Sequence, residues 1–361
     1  MTTVAVVLIS KNQAWNTGRL VESVLRETAT LPSIEVVLVD SASTDETAEV
    51  AARYPIDVLR LRPDQQLTPA AGRYVGSRHA TADLVLFLDG DMELAPGWLA
   101  QAVRVMDASP DVGVLTGQVI DLLPTAGPEQ KPLLPDARSV GLEEIPYSGG
   151  AAMYRRAALD EVGTFNPYLH SDEEPELCIR IRHAGYRVVR LAYPIAYHYS
   201  SPGDALSTLV ARWRRKLYLG SGEAIRYHLG SDLLWPYLRE RGFGLIPGVG
   251  LAAGLLAWLV SLTSGQQLWF RLWLLLLLGL IAADALRKRS LYRTVHSLTL
   301  RLLVLDGTIR GFLATPHDPR SYPAQFDVIR GATRGSVLPS RGEAPPLRDL
   351  PALGRAGVSW P

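Results

Sequence analysis

Short, mainly apolar runs punctuate the first 120 positions, at 4–9, 34–39, 56–61, 84–88 and 112–116. Runs such as Val-Val-Leu-Val and Leu-Val-Leu-Phe-Leu are apolar at every position rather than every second one. Strands covered on both faces read this way, whereas half-exposed strands alternate. Between them, 19–26, 44–53 and 69–80 read as helices, the second opened by Ser43 and Asp45 and the third by Thr68 ahead of Pro69 at a first-turn position. Strands alternating with crossover helices predict an α/β domain on a central, mostly parallel sheet. Ligands of such sheets bind beyond the carboxyl ends of the strands, so chemistry is expected just after Val39 and Leu88. Both positions are followed by aspartates, Asp40 and Asp89.

Residues 121–146 are rich in Pro and Gly and lack a period, predicting a loop between a first half (1–120) and a second (145–235) of one domain spanning 1–235. Further helices are expected over 156–162 and 174–184, and a strand over 187–191. The pattern then changes. Residues 242–263 are 22 uncharged positions, enough to cross roughly 30 Å of hydrocarbon at helical rise. A second apolar segment, 268–286, has Arg271 and Asp284 near its ends and Trp269 and Trp273 near its start. Arg239, Arg241 and Arg287-Lys288-Arg289 flank the pair while the intervening Thr-Ser-Gly-Gln-Gln is neutral, which predicts a transmembrane hairpin over 242–286 with both outer ends in the cytosol. Leu291, Val295, Leu298, Leu302, Leu305, Ile309 and Phe312 then recur at four- and three-residue steps, predicting an amphipathic helix over 289–315. It packs on protein or lies in the membrane interface. Residues 335–361, rich in Pro, Gly and Arg, are expected to be disordered.

Composition adds that 361 residues, 47% hydrophobic and 20% charged, suffice to bury a core. The lone Cys178 forms no internal disulfide and no Cys/His spacing suggests zinc, so a reducing compartment is expected. Met1-Thr2-Thr3 runs into the first apolar stretch without a basic region, so no secretory signal is expected. Residues 287–361 hold 12 Arg and Lys against 5 Asp and Glu, leaving 25 against 31 in the rest. Anionic membrane lipid fits that basic tail; nucleic acid does not, because its arginines lack interleaved aromatics.

The chemistry centres on two acidic stretches. Asp89-Gly90-Asp91 places two carboxylates at a strand end, with a glycine that admits a ligand close to backbone. Such a pair suits Mn2+ or Mg2+, whose shell is completed by water and substrate phosphates. After the second strand comes Asp40-Ser41-Ala42-Ser43-Thr44-Asp45-Glu46-Thr47. Asp40, Ser43, Asp45 and Thr47 stand as in the D-x-x-S-x-D-x-T stretch of family 2 glycosyltransferases, and Ser10-Lys11-Asn12 resembles that family's opening S/T-x-N. Gly72-Arg73-Tyr74-Val75-Gly76 resembles its A-R-N-x-G, with Tyr74 in place of asparagine. The resemblance covers roughly residues 1–200 and implies a GT-A fold. It implies that Asp40 contacts the nucleotide base, typically uracil, that Ser10 and Asn12 belong to the same donor site, and that Arg73 lies near the diphosphate. It further implies that Asp91 binds the metal, with Asp89 near ribose and metal. Helix N-capping is the other reading of Asp40 and Asp45.

Inverting transfer needs a general base for the acceptor hydroxyl. Glu173-Glu174-Pro175-Glu176-Leu177 resembles the family's E-D-x-D/E-L motif, whose second acid is the base; by position that is Glu174, with Glu173 and Asp172 as alternates. His198 stands where GT-A enzymes often carry a metal-reaching histidine. Tyr147-Ser148-Gly149-Gly150 resembles the small-residue turn beneath the acceptor, which puts Gly149 and Gly150 on the acceptor side. Arg212-Trp213 resembles the R-W of processive synthases, but Leu209 replaces their glutamine, so Arg212 reads as an acceptor-side phosphate or headgroup contact. The expectation is an inverting, metal-dependent glycosyltransferase of the inner membrane, its catalytic domain cytosolic. It would move a sugar from a nucleotide-diphosphate donor, UDP first, to a saccharide or lipid-linked acceptor in polysaccharide synthesis. The rivals are a sugar nucleotidyltransferase, which would want a Gly-rich loop where the chain has Ser10-Lys11-Asn12-Gln13, and a non-catalytic membrane scaffold.

Overall fold

The computed structural model describes residues 2–28, 34–134, 141–200 and 205–330; the expected disordered tail at 335–361 lies outside them. The chain divides into two compact units. The first comprises the described residues of Met1–Tyr168, Glu173–Ser201 and His317–Pro361, the second those of Leu169–Asp172 and Pro202–Pro316. Residues 206–241 fold as three helices that cluster with the apolar segments.

The first unit opens with β1 (Val4–Ser10), α1 (Ala14–Thr28), β2 (Ile34–Asp40), α2 (Thr47–Ala51), β3 (Asp57–Leu61), α3 (Pro69–His79) and β4 (Leu84–Asp89). It continues with β5 (Met92–Leu94), α4 (Trp98–Ala108), β6 (Val112–Leu122), β7 (Leu142–Glu144), β8 (Ala152–Arg155), α5 (Arg156–Val162), α6 (Glu173–His183) and β9 (Arg187–Tyr199). After the second unit the chain returns as β10 (Phe326–Arg330). The sheet order is β10-β3-β2-β1-β4-β8-β6-β9-β5, with β7 on β9. β3, β2, β1 and β4 run parallel.

β1 is buried along its whole length, and its residues divide between two cores by the period of two that a strand imposes. Val4, Val6 and Leu8 join one cluster with α1 and α4; Ala5, Val7 and Ile9 join another with α3 and α6. A chain with both faces covered has no polar positions to alternate, which is why the sequence shows solid apolar runs. Thr68 caps α3 as expected, its Oγ1 accepting from Ala71 N at 2.9 Å.

Several expectations need correction. The strand begun at 112 continues to Leu122, and the loop expected over 121–146 carries β7. β9 runs to Tyr199, through Pro194, which sits where the pairing with β6 shifts register. Proline enters a strand at such a bulge without leaving a ladder acceptor unmatched. β10 was not foreseen.

The second unit holds α7 (Leu206–Arg214), α8 (Gly220–Tyr227), α9 (Leu234–Arg241), α10 (Ile246–Ser264), α11 (Leu268–Lys288) and α12 (Leu291–Leu313). Two stretches, Leu234–Ser264 and Leu268–Lys288, are long and apolar enough to cross a membrane and are almost unburied. α12 meets α8 not through the leucine stripe but through small residues. A Cβ on Gly311 would fall 2.2 Å from Leu219 O and one on Gly222 2.0 Å from Thr308 O, so only glycine permits this backbone approach. Most of the stripe, including Leu291, Val295, Leu302, Ile309 and Phe312, stays exposed.

Candidate active site

Register sets the site. Ser10 pairs with Asp40 and Ile9 with Asp89, so the carboxyl ends of β1, β2 and β4 stop at one level. β1 is where the sheet order reverses between β2 and β4, the switch point at which α/β sheets open a crevice. A cleft of about 300 Å3 lies there. Its lining joins Ile9, Ser10, Lys11, Gln13, Ser41, Leu67, Thr68 and Pro69 with Arg73, Asp89, Gly90, Asp91, Glu173 and Glu174.

α3 delivers Arg73 because it lies unusually close to β1. A Cβ on Gly72 would come within 2.5 Å of Ile9 Cγ2, and one on Gly76 within 2.3 Å of Val7 Cγ1. The guanidinium, 2% exposed, is held by three carboxylates. Nη1 donates to Glu173 Oε1 at 2.8 Å, while Nη2 meets Asp89 Oδ1 at 2.7 Å and Glu174 Oε1 at 2.9 Å. Arg73 thus lines the cleft with its guanidinium engaged by acids. Burial and the charge of Glu174 push the Glu173 carboxyl up to about 8, despite Arg73. Asp89 keeps about a third of its side chain open to the cleft, yet burial first, then Glu174 and Asp91, raise it to about 6 against the pull of Arg73. One cation facing three acids leaves the cleft short of positive charge.

The Asp89-Gly90-Asp91 turn is tightly seated. A Cβ on Gly90 would meet Ser10 Oγ at 2.6 Å and Ile9 O at 3.2 Å. Buried Asn16 donates to Gly90 O at 3.0 Å and Met92 O at 2.8 Å. Asp91 faces His198, whose Nε2 is 3.4 Å from Asp91 Oδ2 and whose Nδ1 is 2.7 Å from Asp121 Oδ1. Hydrogen bonding to Asp91, then to Asp121, holds the imidazole up at about 9. Among the described residues no three His, Cys, Asp or Glu side chains form a cluster that closes round an ion alone. The hard oxygens of Asp89 and Asp91, with His198 beside them, fit a divalent cation that takes its remaining ligands from substrate phosphate and water. Ser10, in the same lining, has its Oγ buried against Gly90 without a hydrogen-bond partner among the described residues.

Other expected residues lie elsewhere. Asp40 is fully buried and does not line the cleft; it accepts from Ser43 Oγ, from Ser43 N at 3.1 Å and from Arg60 Nε at 3.1 Å. It builds the loop whose Ser41 reaches the cleft. Asn12, at φ 55°, also stays out of the cleft and ties two loops, its Oδ1 accepting from Thr44 N at 2.8 Å. Asp172 does not line the cleft; within the second unit Arg241 Nη2 at 2.5 Å and Tyr237 OH at 2.7 Å engage its carboxylate. Glu176 is likewise consumed, by Arg180 at 2.7 Å. Gly150 abuts Asp89, where a Cβ would fall 2.0 Å from Oδ2, while Gly149 faces open space. Arg212 is exposed on α7 in the second unit. Sequence reasoning missed Asn16 and Asp121, since neither belongs to a local motif; Asp121 reaches His198 only because β6 pairs with β9.

The chain matches the family described as glycosyl transferase family 2 over residues 5–163 and glycosyl transferase family group 2 over residues 138–285. A pre-mycofactocin glycosyltransferase of Mycobacterium tuberculosis is 29% identical over 285 residues, covering 73% of this chain and 57% of that one. An uncharacterized glycosyltransferase of Nostoc is 31% identical over 180 residues, 45% of this chain and 54% of that one. The chain thus spans little more than half the length of these curated relatives. A mannosyltransferase of Pyrobaculum calidifontis, solved with GDP-Man and Mn2+, shares the fold at a TM-score of 0.56 and 19% identity over 86% of this chain and 87% of that one.

Proposed function

The chain belongs to glycosyl transferase family 2 with a GT-A α/β unit, and on that premise we propose that it moves a sugar, with inversion, from a nucleotide-diphosphate sugar to a saccharide or lipid-linked acceptor. The observation that carries the reading is the gathering of Ser10, Asp89, Asp91, Glu173 and Glu174 in one cleft at the sheet switch point. UDP is the first donor to test. Mn2+ or Mg2+ at Asp91 and Asp89, with His198 alongside, would neutralise the departing diphosphate.

The chain's own residues divide the remaining work. Glu174 is the general base: its side chain is 14% exposed against 6% for Glu173, and both line the cleft. Glu173, buried against Arg73, keeps Glu174 oriented through the shared guanidinium. The acceptor oxygen attacks the anomeric carbon opposite the leaving group. As the new C–O bond forms, the bond to phosphate breaks, its electron pair leaves with the nucleoside diphosphate, and the hydroxyl proton passes to Glu174. Gly150 beside Asp89 keeps the acceptor floor free of side chain.

The bare apolar surfaces of α10 and α11 support membrane attachment, and with it a lipid-linked acceptor. The test is nucleotide release from UDP-, GDP- and dTDP-sugars by detergent-solubilised protein with Mn2+, beside Asp91→Ala and Glu174→Gln. Release from one donor, abolished by the first variant and strongly reduced by the second, is expected. Pyrophosphate release from a nucleoside triphosphate and sugar phosphate would instead establish a nucleotidyltransferase. Failure to bind any donor would leave the scaffold reading standing.

A further inference from the structure

The chain leaves the first unit for the helical one and then returns, and the returning segment lands behind one wall of the cleft. That wall, residues 62–68 between β3 and α3, has no regular structure of its own, yet Leu67, Thr68 and Pro69 line the cleft. Its restraints come from two distant places. Residues 167–168 supply two carbonyls, Thr68 Oγ1 donating to Pro167 O at 2.7 Å and Gln66 Nε2 to Tyr168 O at 2.8 Å. The rest come from the C-terminal strap. Tyr322 OH donates to Gln66 O at 2.7 Å. Gln65 forms a reciprocal pair with the main chain of Gln325, Nε2 to its carbonyl at 2.6 Å and Oε1 from its N–H at 3.1 Å. Arg62 N donates to Gln325 O at 3.2 Å.

The strap is anchored by its own packing rather than by the loop. Tyr322, 4% exposed, meets Tyr74 of α3 and Tyr168 edge-on, at ring distances of 5.8 and 5.6 Å. Phe326 is equally buried, stands edge-on to His79, and opens the antiparallel pairing of β10 with β3. Both matched family ranges end before this segment, the later at residue 285. The cleft lining offers two kinds of chemistry. Its carboxylates suit cation and diphosphate, whereas Leu67 and Pro69 present uncharged, apolar surface of the kind a base and ribose require.

Resting on the glycosyl-transfer reading, we propose that the strap from His317 to Arg330 is a positioning element for the nucleoside end of the donor, holding the 62–69 wall in place through Tyr322 and Gln325. Tyr322 and Gln65 touch no substrate; they act through Leu67, Thr68 and Pro69. An uncharged wall contributes to affinity only if it is already in place when the ligand arrives, since ordering it on binding subtracts from the gain.

The experiment measures Mn2+-dependent binding of UDP, GDP and pyrophosphate by calorimetry to the full chain, wild type and variants. Tyr322→Phe keeps both ring contacts and removes one hydrogen bond; Gln65→Ala removes the reciprocal pair. The double variant should bind the preferred nucleoside diphosphate roughly tenfold more weakly, as expected for releasing a wall held by a few neutral hydrogen bonds. Pyrophosphate affinity should stay as in wild type, and turnover should show a raised donor KM with kcat unchanged. Equal weakening for pyrophosphate, or a fall in kcat matching the rise in KM, would mean a general structural role and overturn the proposal. Unchanged nucleotide affinity in the variants would overturn it alone. Wild-type protein that binds neither UDP nor GDP would overturn the glycosyl-transfer reading and this inference with it.

Discussion

Replacing Arg73 by Gln isolates the charge that organises the cleft while keeping most of the side chain's volume. In the folded protein one guanidinium, 2% exposed, is shared by Asp89, Glu173 and Glu174 at 2.7 to 2.9 Å. Removing one partner of a buried ionic group leaves uncompensated charge, at a cost of about 3–5 kcal/mol. For a unit of this size each kcal/mol lowers Tm by roughly 2–4 °C, so Tm should fall by roughly 6–20 °C at neutral pH. The loss should shrink on acidification. Glu173 and Asp89 already stand at about 8 and about 6 with Arg73 in place. Without it both rise further above their unfolded values, and a carboxyl whose folded value is raised destabilises increasingly as pH climbs past its unfolded value. The assay is thermal unfolding of metal-free wild type, Arg73→Gln, Glu173→Gln and the double variant at pH 6 and pH 8. The double variant should recover part of the loss, because one fewer carboxylate is left unpaired, with a coupling of about 1–3 kcal/mol. A Tm change in Arg73→Gln of less than about 2 °C, equal at both pH values, would refute the view that this residue neutralises the acids.

Cation binding should release protons from the acids of the cleft, so Mn2+ affinity measured by calorimetry should rise with pH between about 6 and about 8, following Asp89 and Glu173. Affinity independent of pH over that range would place the cation elsewhere. Asp121→Asn should weaken Mn2+ binding by roughly tenfold, read by the free-ion electron paramagnetic resonance signal, because it removes the acceptor that orients His198. Asp121→Glu should restore part of it. Cys178, fully buried with its thiol pushed up to about 11 by burial, should resist iodoacetamide at pH 8 in the native protein and react once unfolded.

What could be read from the chain alone was whatever depends on neighbours along it. Solid apolar runs identify strands covered on both faces, since that burial removes every polar position at once, and β1 and β4 lie close to where such runs stand; β2 and β3, with Glu35, Asp57 and Arg60 at half-buried positions, match their mainly apolar runs less strictly. Thr68 before Pro69 marks a helix start because cap and first turn are adjacent. The acids after Leu88 and at 173–174 were visible as candidates for the same reason. Their division of labour was not. Asp40 and Asp172 look equivalent to Asp89 and Glu174 in the sequence, but the latter two line the cleft, whereas Ser43 and Arg60 hold Asp40 and Arg241 and Tyr237 hold Asp172. Three carboxylates meet Arg73, two of them 100 or so positions away. The pairing of Asp121 with His198 and of β10 with β3 is of the same kind. Which acid reaches the cleft, and with which partner, depends on sheet order and register, and no local pattern records it because those contacts form only when the whole sheet closes.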